Sequence, residues 1–371
     1  MTGKKPNRRI NVVWDAEDDG NAASTAQSAR GFRGTLPSAI VYAVPEFIWG
    51  MSVRTSFLSP SSPVSNPVIA CAADDRYSLP LAVMLYSALR NYNGCDDFEI
   101  YVLDAGISAA NQQKIRGVLA PFRVHLHWLN PSQTDSLRGL PLTTNWGIAA
   151  YFRLLIPELL PATVNKAIYL DCDILVETDL SPLWQRDVAN KYLLAAQDTG
   201  RKTKFIANSS LAKWSDIAFS EDDQYFNSGV LVMNLSLLRK EKFSSKVIEF
   251  LQRWPKQRYP DQDGLNALSI GKWGKLDSSF NSFVGYARPD FQYKSNSILH
   301  YIEDKPWNTT QTKRHDRSEV GKAHRAYCEY MYQSGWFTRA EQLRHRLLCT
   351  FFRYFGGPLR KIRGNVYRAF R

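Results

Sequence analysis

The chain has 371 residues, enough for a large α/β domain with appendages or for two to three domains, and its 44% hydrophobic, 22% charged and 13% aromatic content excludes a disordered chain, a collagen and a coiled coil. Five cysteines, Cys71, Cys95, Cys172, Cys328 and Cys349, are an odd number with no Cys-x-x-Cys pair; this excludes a disulfide-stapled miniature and reads as reduced thiols in a cytoplasmic protein. The net charge of +12 calls for an anionic partner, and it is unevenly placed: from Thr338 to Arg371 nine Arg and Lys side chains stand against Glu341 alone, so eight of the twelve net charges lie in the last tenth of the chain.

Residues 1–66 mix charged, Ala, Ser and Gly residues without sustained periodicity and end in the turn-rich SPSSPVSNP, so they read as a flexible extension. No apolar run reaches the roughly 18 to 20 residues that a membrane-spanning helix needs, and Ala39 to Met51 is interrupted by Pro45 and Glu46, so neither an anchor nor a signal peptide is expected. From 67 to 308 strands and helices alternate. Val68 to Ala72 is a short apolar strand, and Ser78 is placed to cap a helix that runs to about Arg90 with Pro80 in its first turn. FEIYVL from Phe98 is a second strand, Ser108 caps a second helix, and Val124 to Leu129 is a third strand. A helix over Asn145 to Leu155 follows, then strands at Ala167 to Leu170, Tyr192 to Gln197 and Val230 to Asn234, and helices from Ser244 and Asp261. This alternation predicts an α/β fold with a doubly wound, Rossmann-like sheet.

Open α/β sheets bind ligands at the carboxyl ends of their strands. Two acidic clusters fall there: Asp74 and Asp75 after the first strand, in AADDRY, and Asp171 and Asp173 in YLDCDILV. An Asp-x-Asp closing an apolar strand offers two hard oxygens to a divalent cation of the Mg²⁺ or Mn²⁺ type, which in turn binds a diphosphate. Taken alone, such a pair equally well caps the following segment with one carboxylate and leaves the other solvated.

From Ile69 to about Asn308 the chain resembles glycosyltransferase family 8, which includes bacterial lipopolysaccharide galactosyl- and glucosyltransferases. The resemblance is carried by AADDRY, VLDAGIS from Val102, YFRLLIPELLP from Tyr151, YLDCDILV, FNSGVLVMNL from Phe226, YPDQDGLNAL from Tyr259 and ILHYIEDKPW from Ile298. It implies a GT-A fold, with a mixed nucleotide-binding sheet, and a retaining hexosyltransfer from UDP-glucose or UDP-galactose to a glycan or glycolipid such as a lipopolysaccharide core. Residue by residue, it makes Asp171, Asp173 and His300 the metal ligands; a His added to two carboxylates favours Mn²⁺ over Mg²⁺. It places Asp74 at the uracil edge, Tyr77 beside the base, Arg153 and Lys305 at ribose or phosphate, and Asn227, Asp198, Asp261 and Gln262 around the transferred sugar. Gln262 stands where a retaining hydrolase would need a carboxylate nucleophile, and an amide is a poor one, so the resemblance favours front-face attack. The loop after His300 departs from the family: Glu303 and Asp304 stand where a Gly is common.

Residues 309–371 read as a basic, aromatic, helical region. Its Arg and Lys side chains suit anionic lipid heads, and Phe351, Phe352, Tyr354, Phe355, Tyr367 and Phe370 suit the interface, which places the protein on the inner face of a membrane. No nucleic-acid motif is present, so no nucleic-acid partner is expected. His125 and His127 share a strand face without an acidic residue or Cys close in sequence and read as structural. Two other readings of the Asp-x-Asp strand are a haloacid-dehalogenase-like phosphatase and a nucleotide-sugar binder without turnover.

Overall fold

The computed structural model describes residues 66–131, 137–140, 147–198, 223–255, 259–288 and 290–359. The extension expected over 1–66 therefore lies outside the described residues except for Asn66, and so do residues 360–371 of the basic tail. Strands β1 (Val68–Ala73), β2 (Phe98–Asp104), β3 (Val124–Leu129), β4 (Lys166–Leu170), β6 (Leu193–Gln197), β7 (Phe226–Asn234) and β8 (Trp273–Leu276) form one sheet in the order β3-β2-β1-β4-β7-β6-β8. β1 runs parallel to β2 and β4, and β2 runs parallel to β3. β7 is antiparallel to both its neighbours, β4 and β6. The central strands VIACAA and KAIYL are almost continuously apolar because neighbours cover both of their faces. The strand order reverses at β1, so the carboxyl ends of β1 and β4 flank the crevice where Asp74 and Asp171 sit.

A second, three-stranded sheet aligns β5 (Ile174–Val176), β10 (Ile298–His300) and β9 (Ser282–Phe283). β5 and β10 are antiparallel with His300 opposite Ile174, and the Tyr301 N–H donates to the Asp173 carbonyl at 2.9 Å. This small sheet delivers a late histidine to an early Asp-x-Asp. Helix α1 (Ser78–Arg90) supplies Val83 to its core, and a helix at Glu319–Gln333 supplies Val320, Ala323, Tyr327 and Met331, so the first part of the 309–371 region packs against the strands that carry the site. The expected nucleation of α2 (Ala109–Leu119) by Ser108 is present, with Asn111 N–H donating to Ser108 Oγ at 3.4 Å.

Two local expectations are corrected. Ser78 does not cap α1 but is its first residue, because Asp74 already closes a 3₁₀ turn over Asp75–Tyr77 that runs straight into the helix. The single helix expected over Asn145 to Leu155 is a turn of α-helix at Ala149–Phe152, a 3₁₀ turn at Arg153–Leu155 and a further turn at Ile156–Leu159. Pro157 accounts for the break, since it lacks an N–H and its ring crowds the carbonyl of Arg153 four residues earlier.

Candidate active site

Asp171 is the first residue beyond β4, and its N–H donates to the Gly229 carbonyl at 2.9 Å, which extends the β4–β7 ladder to the crevice. Asp173 Oδ1 lies 3.3 Å from His300 Nε2, and ligand atoms of Asp171, Asp173 and His300 all fall within 4.8 Å of one another. A chain of hydrogen bonds fixes the proton on His300. The Gly229 N–H donates to Asn227 Oδ1 at 2.9 Å, so that oxygen must also be what Asn281 Nδ2 donates to, at 2.8 Å. Asn281 Oδ1 is then left to accept from His300 Nδ1 at 2.9 Å. With Nδ1 protonated, Nε2 presents a lone pair toward a carboxylate oxygen. Two acceptors facing each other are unfavourable without a cation between them, and a metal-bound His typically donates its other N–H to an outer partner, as here. Gly229 is required at this spot: a Cβ there would stand 2.8 Å from His300 Nδ1 and 3.0 Å from Asn227 Oδ1.

Charge around these ligands is nearly balanced. Arg153 is buried; its Nη2 pairs with Asp171 Oδ1 at 2.8 Å, its Nε with Asp261 Oδ2 at 3.2 Å, and its Nη1 donates to the Ser228 carbonyl and hydroxyl at 3.0 Å each. Tyr169 Oη donates to Asp171 Oδ1 at 2.7 Å, and its ring lies under the Arg153 guanidinium. Lys305 Nζ pairs with Asp173 Oδ2 at 2.8 Å and donates to the Tyr301 carbonyl. Burial works against ionisation of Asp173, yet the Lys305 ammonium and His300 outweigh it and hold the carboxyl below the usual range. Burial pushes the Asp261 carboxyl up, against the pull of Arg153. Three carboxylates, Asp171, Asp173 and Asp261, against two cations leave a site with net negative charge that suits a divalent cation.

Asp261 and Gln262 begin the helix Pro260–Leu268, entered through Pro260 at its first position. Gln262 is buried; its Oε1 accepts from the Ser228 N–H at 3.0 Å, and its Nε2 donates to Tyr225 Oη, which donates to Asp263 Oδ1 at 2.7 Å. The amide is thus held rigidly against β7. Asn227, on the same strand, is the acceptor that organises Asn281. Asp198, directly after β6, receives Arg288 Nη2 at 3.2 Å.

At the end of β1, Asp74 Oδ1 accepts from the backbone N–H groups of Arg76 and Tyr77, and Oδ2 from the Arg76 side chain at 2.6 Å. Arg76 must therefore swing away before that carboxylate can accept a proton from a base. Asp75 is structural: its Oδ1 accepts from Ser108 N–H and Asn111 Nδ2, both at 2.8 Å, and ties β1 to the start of α2. Tyr77 packs edge-on against Trp307 with ring centroids 6.0 Å apart, which places both aromatics beside the crevice. Glu303 and Asp304 do not crowd it. Glu303 accepts from the N–H groups of Tyr286 and Ala287, and Asp304 pairs with Lys313 at 3.4 Å. His127 finds Glu99 at 2.8 Å and His125 finds Asp97 at 3.6 Å on the neighbouring strand and its approach, partners that their own sequence surroundings do not reveal.

Asn281, Ser228, Gly229 and Tyr169 were not singled out by the sequence reading. Only Gly229 carried a signal, a glycine inside an apolar strand, which marks close approach of another group.

The sequence profile described as "Glycosyl transferase family 8" matches residues 68–311. The chain is 28% identical over 289 residues to General stress protein A of Bacillus subtilis (strain 168), covering 73% of this chain and 94% of that one. It is 27% identical over 254 residues to a lipopolysaccharide 1,2-glucosyltransferase of Escherichia coli (strain K12), covering 65% and 72%. A solved structure of galactosyltransferase LgtC in complex with donor and acceptor sugar analogs superposes with a TM-score of 0.58 at 25% identity, covering 74% of this chain and 98% of that one. The mixed, parallel-dominated sheet is the GT-A arrangement.

Proposed function

The chain belongs to glycosyl transferase family 8, and from that premise we propose that it moves a hexose from UDP-glucose or UDP-galactose, with retention of configuration, to a hydroxyl of a glycan or glycolipid such as a lipopolysaccharide core. The observation that carries this reading is the convergence of Asp171, Asp173 and the Nε2 lone pair of His300 in a net-negative crevice at the carboxyl ends of β1 and β4. These three residues would hold Mn²⁺, which when bound supplies positive charge to a diphosphate. Domain limits follow the chemistry: 67–308 is the catalytic region, and 309–371 closes one side of it and carries the basic helix.

The remaining roles belong to the protein. Asp74 takes the N3 proton of uracil once Arg76 turns out to solvent, and Tyr77 flanks the base. Lys305 offsets charge on the departing UDP. Arg153 holds Asp171 ionised and fixes Asp261 beside the sugar, with Asn227, Asp198 and Gln262 completing the lining. Gln262 offers no carboxylate, and its oxygen is engaged by the Ser228 N–H. Displacement therefore proceeds on one face: the bond from C1 to the phosphate oxygen breaks, the bond from C1 to the acceptor oxygen forms, and the acceptor proton passes to an oxygen of the leaving diphosphate. Family membership sets aside the phosphatase alternative. Incubation of the protein with UDP-glucose or UDP-galactose and Mn²⁺ tests the reading: it expects slow metal-dependent release of UDP, accelerated by a glycan acceptor, and Asp173→Ala with undiminished release would overturn it.

A membrane role is supported by the last described helix, Arg339–Leu359. Leu343, Leu347, Phe351 and Tyr354 recur at spacings of four, four and three residues, so they share one face, and they are 60%, 62%, 42% and 66% exposed. The opposite side is docked through Cys349, which is buried, and through His345 Nδ1, 2.8 Å from Tyr332 Oη. An apolar stripe flanked by Arg339, Arg344 and Arg346 fits an anionic bilayer surface, consistent with peripheral placement on the inner face of a membrane. No described helix is long and apolar enough to cross a membrane.

A further inference from the structure

Arg288 stands outside every assignment made above. It lies at the end of the turn Gly285–Arg288, where the Arg288 N–H donates to the Gly285 carbonyl at 3.2 Å. That turn is held from the loop that follows His300: Glu303 Oε2 accepts the Tyr286 N–H at 2.8 Å and Oε1 the Ala287 N–H at 3.1 Å. Gly285 makes room for this anchor, since a Cβ there would stand 2.6 Å from Glu303 Cδ. Glu303, the residue that departs from the family pattern, thus fixes the backbone from which Arg288 projects. The guanidinium lies over Phe283, with Cζ 4.8 Å from the ring centroid, and Phe283 in turn meets the His300 ring edge-on. Nη2 pairs with Asp198 Oδ1 at 3.2 Å, whereas Nη1 is buried and has no hydrogen-bond partner among the described residues. A buried N–H of a charged group left unmade is costly, so a fold that keeps one beside a proposed sugar site has a ligand atom to complete it.

We propose that Arg288 is a hexose-reading residue, which orients Asp198 through Nη2 and donates from Nη1 to one hydroxyl oxygen of the transferred sugar, with Glu303 as the positioning residue that holds it in place. The inference rests on the reading of Asp198 as part of the sugar lining. The partner is a neutral hydroxyl rather than a phosphate or carboxylate, because Asp198 already balances the guanidinium charge, whereas the site still lacks an acceptor.

The test compares wild type, Arg288→Ala, Arg288→Lys and Glu303→Ala by calorimetry in Mn²⁺ with UDP, UDP-glucose, UDP-galactose and the donor analogues lacking one hexose hydroxyl. For wild type, the proposal expects one deoxy position to weaken binding about ten- to hundredfold, as for a hydrogen bond to a charged donor. Arg288→Ala is expected to bind UDP within twofold of wild type, to lose the same factor against the intact sugar, and to show no further loss at that deoxy position. Arg288→Lys should recover part of it, and Glu303→Ala should show a smaller version of the same pattern. Equal loss of UDP and UDP-hexose in Arg288→Ala and Glu303→Ala would make the pair merely structural and overturn the proposal. So would a wild type that binds UDP-hexose but is indifferent to every deoxy substitution. A wild type that binds no UDP in the presence of Mn²⁺ would instead overturn the transferase reading, and this inference with it.

Discussion

Gly229→Ala tests whether the metal site is built on close approach between β7 and His300. The added methyl would meet His300 Nδ1 at 2.8 Å and Asn227 Oδ1 at 3.0 Å. Ordinary carbon contacts lie near 3.5 Å, so something must move by on the order of 1 Å. The backbone of β7 is paired on both sides, with Val230 against Leu170 on β4 and Phe226 against Gln197 on β6, and resists that movement. The His300 ring is the softer element, and it would be driven off the Asn281 oxygen that fixes its tautomer. Misplacing a metal-bound His or its outer partner typically costs 10- to 100-fold in metal affinity, or about 1.4 to 2.7 kcal/mol, and overpacking a strand interior costs about 1 to 3 kcal/mol of stability. The expectation is a variant with wild-type circular dichroism, a thermal midpoint lowered by a few degrees, and Mn²⁺ affinity weakened at least tenfold by titration calorimetry. Unchanged Mn²⁺ affinity and unchanged donor turnover in a folded Gly229→Ala protein would refute the argument.

Asn281→Ala removes the acceptor for His300 Nδ1 while leaving all three ligands in place, and should weaken Mn²⁺ binding about 10- to 100-fold in the same titration. Asp74→Ala should lower UDP affinity with stability nearly unchanged, whereas Asp75→Ala should leave UDP affinity intact and cost about 1 kcal/mol in urea unfolding, the worth of a lost helix-start bond. Burial pushes the Glu177 carboxyl up to about 7, against a hydrogen bond from Tyr293 Oη and with Glu329 adding to the rise. The folded state holds that proton more tightly than the unfolded chain, so the site is most stable at low pH and loses stability as pH rises from about 4.5 through 7. Because the carboxyl is only partly buried, screening reduces the effect to about 1 kcal/mol, and Glu177→Gln should gain that much at pH 8 and nothing at pH 4 in urea titrations. Replacing Leu343, Leu347 and Phe351 by Ser should reduce co-sedimentation with anionic vesicles while leaving donor hydrolysis unchanged; equal sedimentation would count against the membrane face.

Much of the fold is legible in the sequence because the inner strands are apolar runs and α2 opens on a recognisable cap. The β7 strand was read four residues short, since Phe226, Asn227, Ser228 and Gly229 lack strand propensity; pairing on both sides overrides it, and the polar side chains are spent on the site. The strands β5, β9 and β10 are too short to show a period, so the device that brings His300 to Asp173 could not be derived from pattern alone. The acidic pair was visible as a pair at a strand end. Its partners were not: Arg153 sits at a helix break made by Pro157, and Asn281 lies in a 3₁₀ turn that no local signal distinguishes. Asp74 and Asp75 show the limit of adjacency, since neighbouring carboxylates point to different tasks.

The account stands or falls on titration of UDP-glucose and UDP-galactose into the protein with and without Mn²⁺, followed by assay of UDP release. It predicts binding that requires the metal, a preference for one of the two sugars, and slow release of UDP that disappears in Asp173→Ala and His300→Ala. Binding of equal strength without metal, or UDP release untouched by those substitutions, would contradict it.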